Sequence, residues 1–311
     1  GDHTVDVTAT DDAPTSASVS DQFVLSIGLP AAVAGANDDD TIEIAGDYDP
    51  SGDGTVTVVS EGLTVDLGTG DPTRTVSLAL GAGIEGITLT GGDGDQRFSL
   101  TGNDLDNLIN AAAAGDDVLD GGDGIDTLDY SGSSLGVTVL TLINNAFSAT
   151  GPGGIGTDEI SGFENFRGTS SNDTFVLGAG NNTVFATAGT DTIQGGAGVD
   201  TYDFSDFTAA MLVDLSTNLA IGTPGNQILN GIENVVGGSN NDSITGDAAA
   251  NELDGRGGDH TLTGGLGADA FVASTGDDRI TDFESGVDFI DFSAFDGLTA
   301  DDVTATLNDD G

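Results

Sequence analysis

The sequence predicts an all-β solenoid of short strands and tight turns, and three observations carry that reading. A nine-residue unit recurs in register through much of the chain. Gly accounts for 50 residues and aromatic residues for only 5%, so the interior has to be closely stacked backbone rather than bulky helices. Apolar positions alternate between turn residues, and no stretch combines helical caps with a helical period. With 311 residues and 37% hydrophobic content the chain is long enough to bury a core.

The repeat unit reads G-G-x-G/N-x-D-x-U-x, with U apolar. It is clearest at 121–129 (GGDGIDTLD), 195–203 (GGAGVDTYD), 237–245 (GGSNNDSIT) and 264–272 (GGLGADAFV). Strict register extends these copies into runs at 101–129, 168–203 and 237–281, the first of them irregular, with TGNDLDNLI at 101–109 and AAAGDDVLD at 112–120. A solitary copy, GANDDDTIE, stands at 35–43, and 91–99 is degenerate, with Gln96 in place of Asp.

The runs divide the chain into segments. Residues 1–30 read as two alternating strands, resembling the closing hairpin of cadherin-like or immunoglobulin-like domains. Residues 31–100 form an N-terminal solenoid segment of degenerate repeats. Two related excursions, 130–167 and 204–236, separate the three runs and end in the matching stretches GFENFRG and GIENVVG. Residues 282–311 follow the last repeat as a capping segment, in which Phe283, Val287, Phe289, Ile290, Phe292 and Phe295, with Ile280 before them, are expected to close the open end of the core.

Charge bounds the function. Fifty-three acidic residues face five basic ones, all Arg, for a formal net charge of −48. Repulsion of that size opposes compaction unless cations bind, and it excludes phosphate backbones, hence nucleic acids, and anionic membrane surfaces as partners. With no Cys, any metal has to be held by oxygen, which favours Ca²⁺. Neither a membrane span nor a Sec-type leader is legible, so an export signal is expected outside this segment.

Within the unit, glycines at the first, second and fourth positions allow a tight turn whose carbonyls converge, and the Asp at the sixth adds a carboxylate. The candidate ligand set is therefore Asp40, Asp106, Asp117, Asp126, Asp173, Asn182, Asp191, Asp200, Asp242, Asn251, Asp269 and Asp278. With them go the turns Gly121, Gly122, Asp123 and Gly124; Gly195, Gly196 and Gly198; and Gly264, Gly265 and Gly267. The apolar eighth residues, Leu119, Leu128, Phe175, Val184, Ile193, Tyr202, Ile244, Leu253, Leu262, Phe271 and Ile280, are expected to form the core column.

These residues resemble the RTX, or haemolysin-type calcium-binding, family across most of 35–281. The resemblance implies a right-handed parallel β-roll with two nonapeptides per turn and several Ca²⁺ ions between stacked turns, on the order of five to eight. It pairs Asp173 with Asp191, Asn182 with Asp200, Asn251 with Asp269 and Asp106 with Asp126. His260 breaks the column Asp242, His260, Asp278, and the sites flanking it are expected to be weaker. The stretch 280–295 looks like the segment that closes the roll in secreted proteases and lipases. Type I export from a Gram-negative bacterium to the cell exterior or surface is a further implication.

Other patterns carry less. Asp47, Asp49, Ser51 and Asp53 resemble the start of an EF-hand loop, but Val58 stands where a bidentate Glu belongs, and an ordinary acidic turn explains them as well. Gly132, Ser134 and Gly136 fit a nucleophile elbow without the helix it needs. Gly81, Gly83 and Gly86 fit a dinucleotide fingerprint but lead into a strand. Two histidines, His3 and His260, cannot form an H-E-x-x-H zinc site. No catalytic residue is assigned. An extracellular structural or adhesive module, the calcium-binding part of a secreted hydrolase, epimerase or lyase, and a passive secretion aid all remain open. Self-association and a cell-surface or polysaccharide ligand are the partners left to test.

Overall fold

The computed structural model describes residues 41–43, 55–58, 63–66, 75–80, 84–90, 97–111, 115–133, 136–141, 147–151, 156–222, 225–293 and 295. The hairpin expected over 1–30, Asp40 and the acidic loop of Asp47 to Asp53 lie outside them.

The chain divides into two compact units, one of residues 1–200 with 224–231, the other of residues 201–223 with 232–311. The first holds β1 (Thr41–Glu43), β2 (Thr55–Val58), β3 (Leu63–Asp66), β4 (Thr75–Leu80), β5 (Gly86–Thr90), β6 (Arg97–Thr101), β7 (Leu108–Ala111), β8 (Val118–Asp120) and β9 (Thr127–Asp129). It continues with β10 (Thr138–Thr141), β11 (Phe147–Gly151), β12 (Gly156–Ser161), β13 (Asn165–Arg167), β14 (Thr174–Val176), β15 (Thr183–Phe185), β16 (Thr192–Gln194) and β20 (Asn226–Asn230). The second holds β17 (Thr201–Asp203), β18 (Leu212–Asp214), β19 (Leu219–Ile221), β21 (Asn234–Val236), β22 (Ser243–Thr245), β23 (Glu252–Asp254), β24 (Thr261–Thr263), β25 (Ala270–Val272), β26 (Arg279–Ile280) and β27 (Phe289–Asp291).

Successive strands alternate between two sheets, so each strand pairs in parallel with the next but one. In the first unit one sheet runs β1-β3-β5-β7-β9-β13-β15 and the other β2-β4-β6-β8-β12-β11-β10-β14-β16-β20. In the second the sheets run β17-β21-β23-β25-β27 and β19-β18-β22-β24-β26. This is the parallel β-roll that the repeat implies. Antiparallel detours interrupt it within the excursions, at β10-β11-β12 and at β18-β19. One 3-10 turn, Leu215–Thr217, is the sole helical element among the described residues.

Three-residue strands suffice because only the middle residue points inward. In the first unit Leu119, Leu128, Phe175, Val184 and Ile193 are buried, as Tyr202, Ile244, Leu253, Leu262 and Phe271 are in the second. Each such side chain contributes roughly 1.5–3 kcal/mol by leaving water. Ring packing joins Phe166 to Phe175 at 6.2 Å and Tyr202 to Phe204 at 6.0 Å.

Two sequence expectations are corrected. At 101–109 the register slips by one: Ile109, not Leu108, pairs with Leu128 and is buried, while Leu108 is 50% exposed. Adjacent apolar residues at 108 and 109 hid that choice. The capping segment does add β27 beside β25 and sets Phe283 against Phe271 at 6.2 Å. Yet Phe283, Val287, Phe289 and Ile290 remain exposed, and Ile280, expected in the core column, is only half-buried, because among the described residues no further strand follows β26 or β27 in its sheet.

Candidate metal centre: two side-chain ladders in the turns

Each turn of six residues ends on the sixth-position side chain just before a strand, and that side chain bonds to the turn stacked on it. The amide of Asp173 donates to Asp191 Oδ1 at 2.9 Å, that of Asn182 to Asp200 Oδ1 at 2.9 Å, and that of Asn251 to Asp269 Oδ1 at 2.9 Å. Each of these bonds spans 18 residues, two repeats. In three of the four pairings implied by the resemblance, the backbone amide of the earlier residue thus meets the side chain of the later one. The fourth differs, since Asn107, not Asp106, donates its amide to Asp126 Oδ1 at 2.7 Å, following the register slip. Asp106 falls one position earlier, where its Oδ1 accepts from the Ile125 amide at 2.8 Å.

That bond belongs to a second ladder. At the fifth position, Asn172 Oδ1 accepts from the Thr190 amide, Asn181 from Val199, Asn241 from Asp259 and Asp259 from Asp277, all at 2.9–3.0 Å. Here the earlier turn supplies the acceptor, whereas in the sixth-position ladder the later turn does. The two ladders run in opposite senses, and where both are present they hold a turn from both sides.

The sixth-position side chain also folds back into its own turn. Asp173 Oδ2 accepts from the Thr169 amide at 2.8 Å, and Asp242 Oδ2 from Gly238 at 3.0 Å. A Cβ added at Gly121 would lie 2.6 Å from Asp126 Oδ2, and one added at Gly195 2.5 Å from Asp200 Oδ2. Gly264 stands in the same relation to Asp269 Oδ2. The first-position glycine is what makes room for the carboxylate. At the fourth position Gly198 has φ +136°, and a Cβ there would strike the carbonyl oxygen of Gly180. Gly122, Gly124, Gly196, Gly265 and Gly267 likewise lie against carbonyls of the preceding stacked turn, and Asp123 donates its amide to Asn103 O at 3.0 Å.

The excursions supply column members that the nonapeptide pattern misses. Asp117 Oδ1 accepts from the Phe98 amide at 2.7 Å, and the Asp117 amide donates to Asp158 Oδ1 at 3.0 Å. Tyr130 donates its hydroxyl to Asp158 Oδ2 at 2.8 Å. The Asp191 amide donates to Gln227 Oε1 at 2.7 Å, and the Asp126 amide to Glu164 Oε2 at 3.0 Å. Glu164 closes a short turn after Gly162, φ +68°, and its extra methylene spans the distance that Asp covers from a full turn. The stretch G-F-E-N was visible in the sequence, and its repetition as G-I-E-N was the available signal. Asp158 and Gln227 had none, because antiparallel detours bring them in from 41 and 36 residues away.

Burial dominates the electrostatics. It pushes Asp117 up to about 7, Asp126 to about 6, Asp158 to about 8 and Asp191 to about 7, against backbone hydrogen bonds that pull them down. Asp173, Asp242 and Asp269 shift up for the same reason, and burial with the Asp158 charge raises Tyr130. For Asp126, Asp158 and Asp191 no positive charge offsets that burial, which is the condition a bound cation relieves.

The donor set fits Ca²⁺. Asp126 Oδ2 and Asn182 Oδ1 are buried acceptors with no hydrogen-bond partner, a costly arrangement unless something else meets them. Among the described residues no three acidic or histidine side chains converge, so backbone carbonyls of the turns have to complete any coordination shell. Hard oxygen donors of mixed origin are what Ca²⁺ takes. Asp242, His260 and Asp278 follow one another in the column as the repeat implies, with the Asp242 amide donating to His260 Nδ1 at 3.1 Å and the His260 amide to Asp278 Oδ1 at 2.9 Å.

Comparison with known proteins agrees. The family described as RTX calcium-binding nonapeptide repeat matches in 4 copies, over 100–128 and 167–202. The family described as peptidase M10 serralysin C terminal matches 191–306. No curated protein matches the chain. Both matched segments are non-catalytic regions, and RTX nonapeptide repeats bind calcium ions. Among the described residues no helix is long and apolar enough to cross a membrane.

Proposed function

This chain carries RTX calcium-binding nonapeptide repeats followed by a serralysin-type C-terminal region, and on that premise we propose that it is a non-catalytic, calcium-locked structural or adhesive module of a protein exported by type I secretion. The observation that carries the reading is the pair of partnerless buried acceptors, Asp126 Oδ2 and Asn182 Oδ1, inside turns whose carboxylates are strained toward the protonated form by burial. In low calcium the net charge of −48 favours the unfolded chain. Outside the cell, Ca²⁺ supplies positive charge to the turns. The chain's own residues then do the rest: the sixth-position carboxylates and turn carbonyls hold the ion, and the ladders lock each turn to its neighbour, so that binding and folding are one equilibrium.

Circular dichroism of the full chain during a Ca²⁺ titration, with Mg²⁺ as control, tests this. A cooperative coil-to-β transition specific to Ca²⁺ is expected. A β spectrum indifferent to chelator would sink the proposal.

A second reading rests on the serralysin C-terminal match over 191–306. It makes the chain the calcium-binding part of a secreted protease-related protein. His3 and His260 cannot build a catalytic zinc site, so that activity would reside in a separate domain of the parent protein. Proteolysis assays on the parent and on this chain alone separate the readings.

A further inference from the structure

His260 lies at the sixth position of the turn 255–260, 1% exposed, in the second unit. Its ring lies over Gly255: a Cβ added there would come within 2.5 Å of His260 Cδ2 and 3.1 Å of Nε2. That is the place Asp126 Oδ2 takes over Gly121. The ring thus enters the cradle that elsewhere holds a carboxylate oxygen.

What it presents there is different. The Asp242 amide donates to Nδ1 at 3.1 Å, so Nδ1 carries the lone pair and the ring N–H is at Nε2. Asp242 Oδ2 lies 3.7 Å from Nδ1, beyond hydrogen-bond range. Nε2 is buried with no partner. Where Asp126 aims an electron pair into its turn, His260 aims an N–H.

Fixed positive charge gathers around the same turn. Of the chain's five arginines, Arg256 is in the turn itself. Arg256 occupies the second position, where the repeat uses Gly, and accepts a left-handed φ of 63° to do so. It is held near Asp254, with Nε 3.9 Å from Oδ2 and its amide donating to Oδ1 at 2.8 Å. An N–H facing inward and an arginine in the turn both repel a cation.

We infer that the turn 255–260 is a calcium-independent rung, in which the inward N–H of His260, with Arg256 in the same turn, stands where the other turns offer oxygen to Ca²⁺. The inference rests on the calcium reading of the repeats. It predicts that the column Asp242, His260, Asp278 stays stacked through its backbone ladder while binding fewer ions than an unbroken Asp column.

The test counts bound Ca²⁺ on the full chain by isothermal titration calorimetry and native mass spectrometry, for wild type, H260D and H260N. H260D is expected to add about one Ca²⁺ per chain, and H260N to add the same ion more weakly, since an amide oxygen ligates without charge. Long-range ¹H–¹⁵N correlation on the wild-type histidines supplies a readout that needs no variant: Nε2 should keep its proton with and without Ca²⁺. Unchanged ion counts in folded variants overturn the inference. So does an Nε2 that loses its proton on addition of Ca²⁺ or Zn²⁺, because the nitrogen is then a ligand. A wild type that binds no Ca²⁺ at all overturns the calcium reading itself, and this inference with it.

Discussion

The backbone amide of Asp173 points at Oδ1 of Asp191, 2.9 Å away and 18 residues further along the chain. Asp191 therefore has two tasks, holding the stacked turn and offering charge, and substitutions separate them. In D191A the buried Asp173 amide loses its acceptor, which costs roughly 1–3 kcal/mol. D191N keeps an acceptor and loses the charge. Thermal melts in saturating Ca²⁺ should show D191A weakened, whereas D191N should mainly need more Ca²⁺ to fold.

Acid should partly substitute for calcium. Burial raises Asp126 to about 6, Asp117 and Asp191 to about 7 and Asp158 to about 8 in the folded state, from an ordinary value of 3.8. In the interval above 3.8 the folded chain holds protons that the unfolded chain has released, so stability is greatest below that value and falls as pH rises through about 6 to 8. In chelator, circular dichroism should show more β signal at pH 5 than at pH 8. D158N should flatten that dependence at its upper end. An unchanged profile in D158N would show that overall charge, not this carboxyl, sets the pH response.

Gly198 and Gly180 allow a controlled comparison. They occupy the same turn position with φ of +136° and +132°, yet a Cβ at Gly198 meets the Gly180 carbonyl and one at Gly180 meets nothing within 4 Å. Both alanine variants carry the backbone strain, on the order of 1–3 kcal/mol. G198A alone adds the collision. Its melting temperature in saturating Ca²⁺ should fall further than that of G180A, and equal losses would mean that turn stacking is looser than the structure has it.

Glu164 should resist shortening. Its Oε2 reaches the Asp126 amide at 3.0 Å from an abbreviated turn. E164D should lose that bond, about 1 kcal/mol, while E164Q keeps it. Urea unfolding in Ca²⁺ distinguishes them, and an E164D as stable as E164Q would remove the reach argument.

The parallel roll, the core column and three of the implied pairings were legible because a strict nine-residue period places every eighth residue inside and every sixth beside its counterpart two repeats on. Where the period breaks, the sequence stopped speaking. Leu108 and Ile109 offered two registers, and only the pairing of Ile109 with Leu128 decides between them. Asp158 meets Asp117 after an antiparallel detour, a contact that follows from strand geometry rather than spacing. The fifth-position ladder was present in the sequence as Asn172, Asn181, Asn241 and Asp259, but a column of polar turn residues looks like solvation until the amides that face it are known.

The opposed ladders also give the roll a mechanical character. In the uninterrupted nonapeptide runs a rung ties a turn to the turn 18 residues away, so a pulling force applied along such a run loads one pair of turns at a time. Releasing one rung frees about 60 Å of contour, from about 3.3–3.6 Å per extended residue. Stretched in Ca²⁺, the chain should yield in regular steps of that length, a tether that lengthens by stages and shortens again when tension drops.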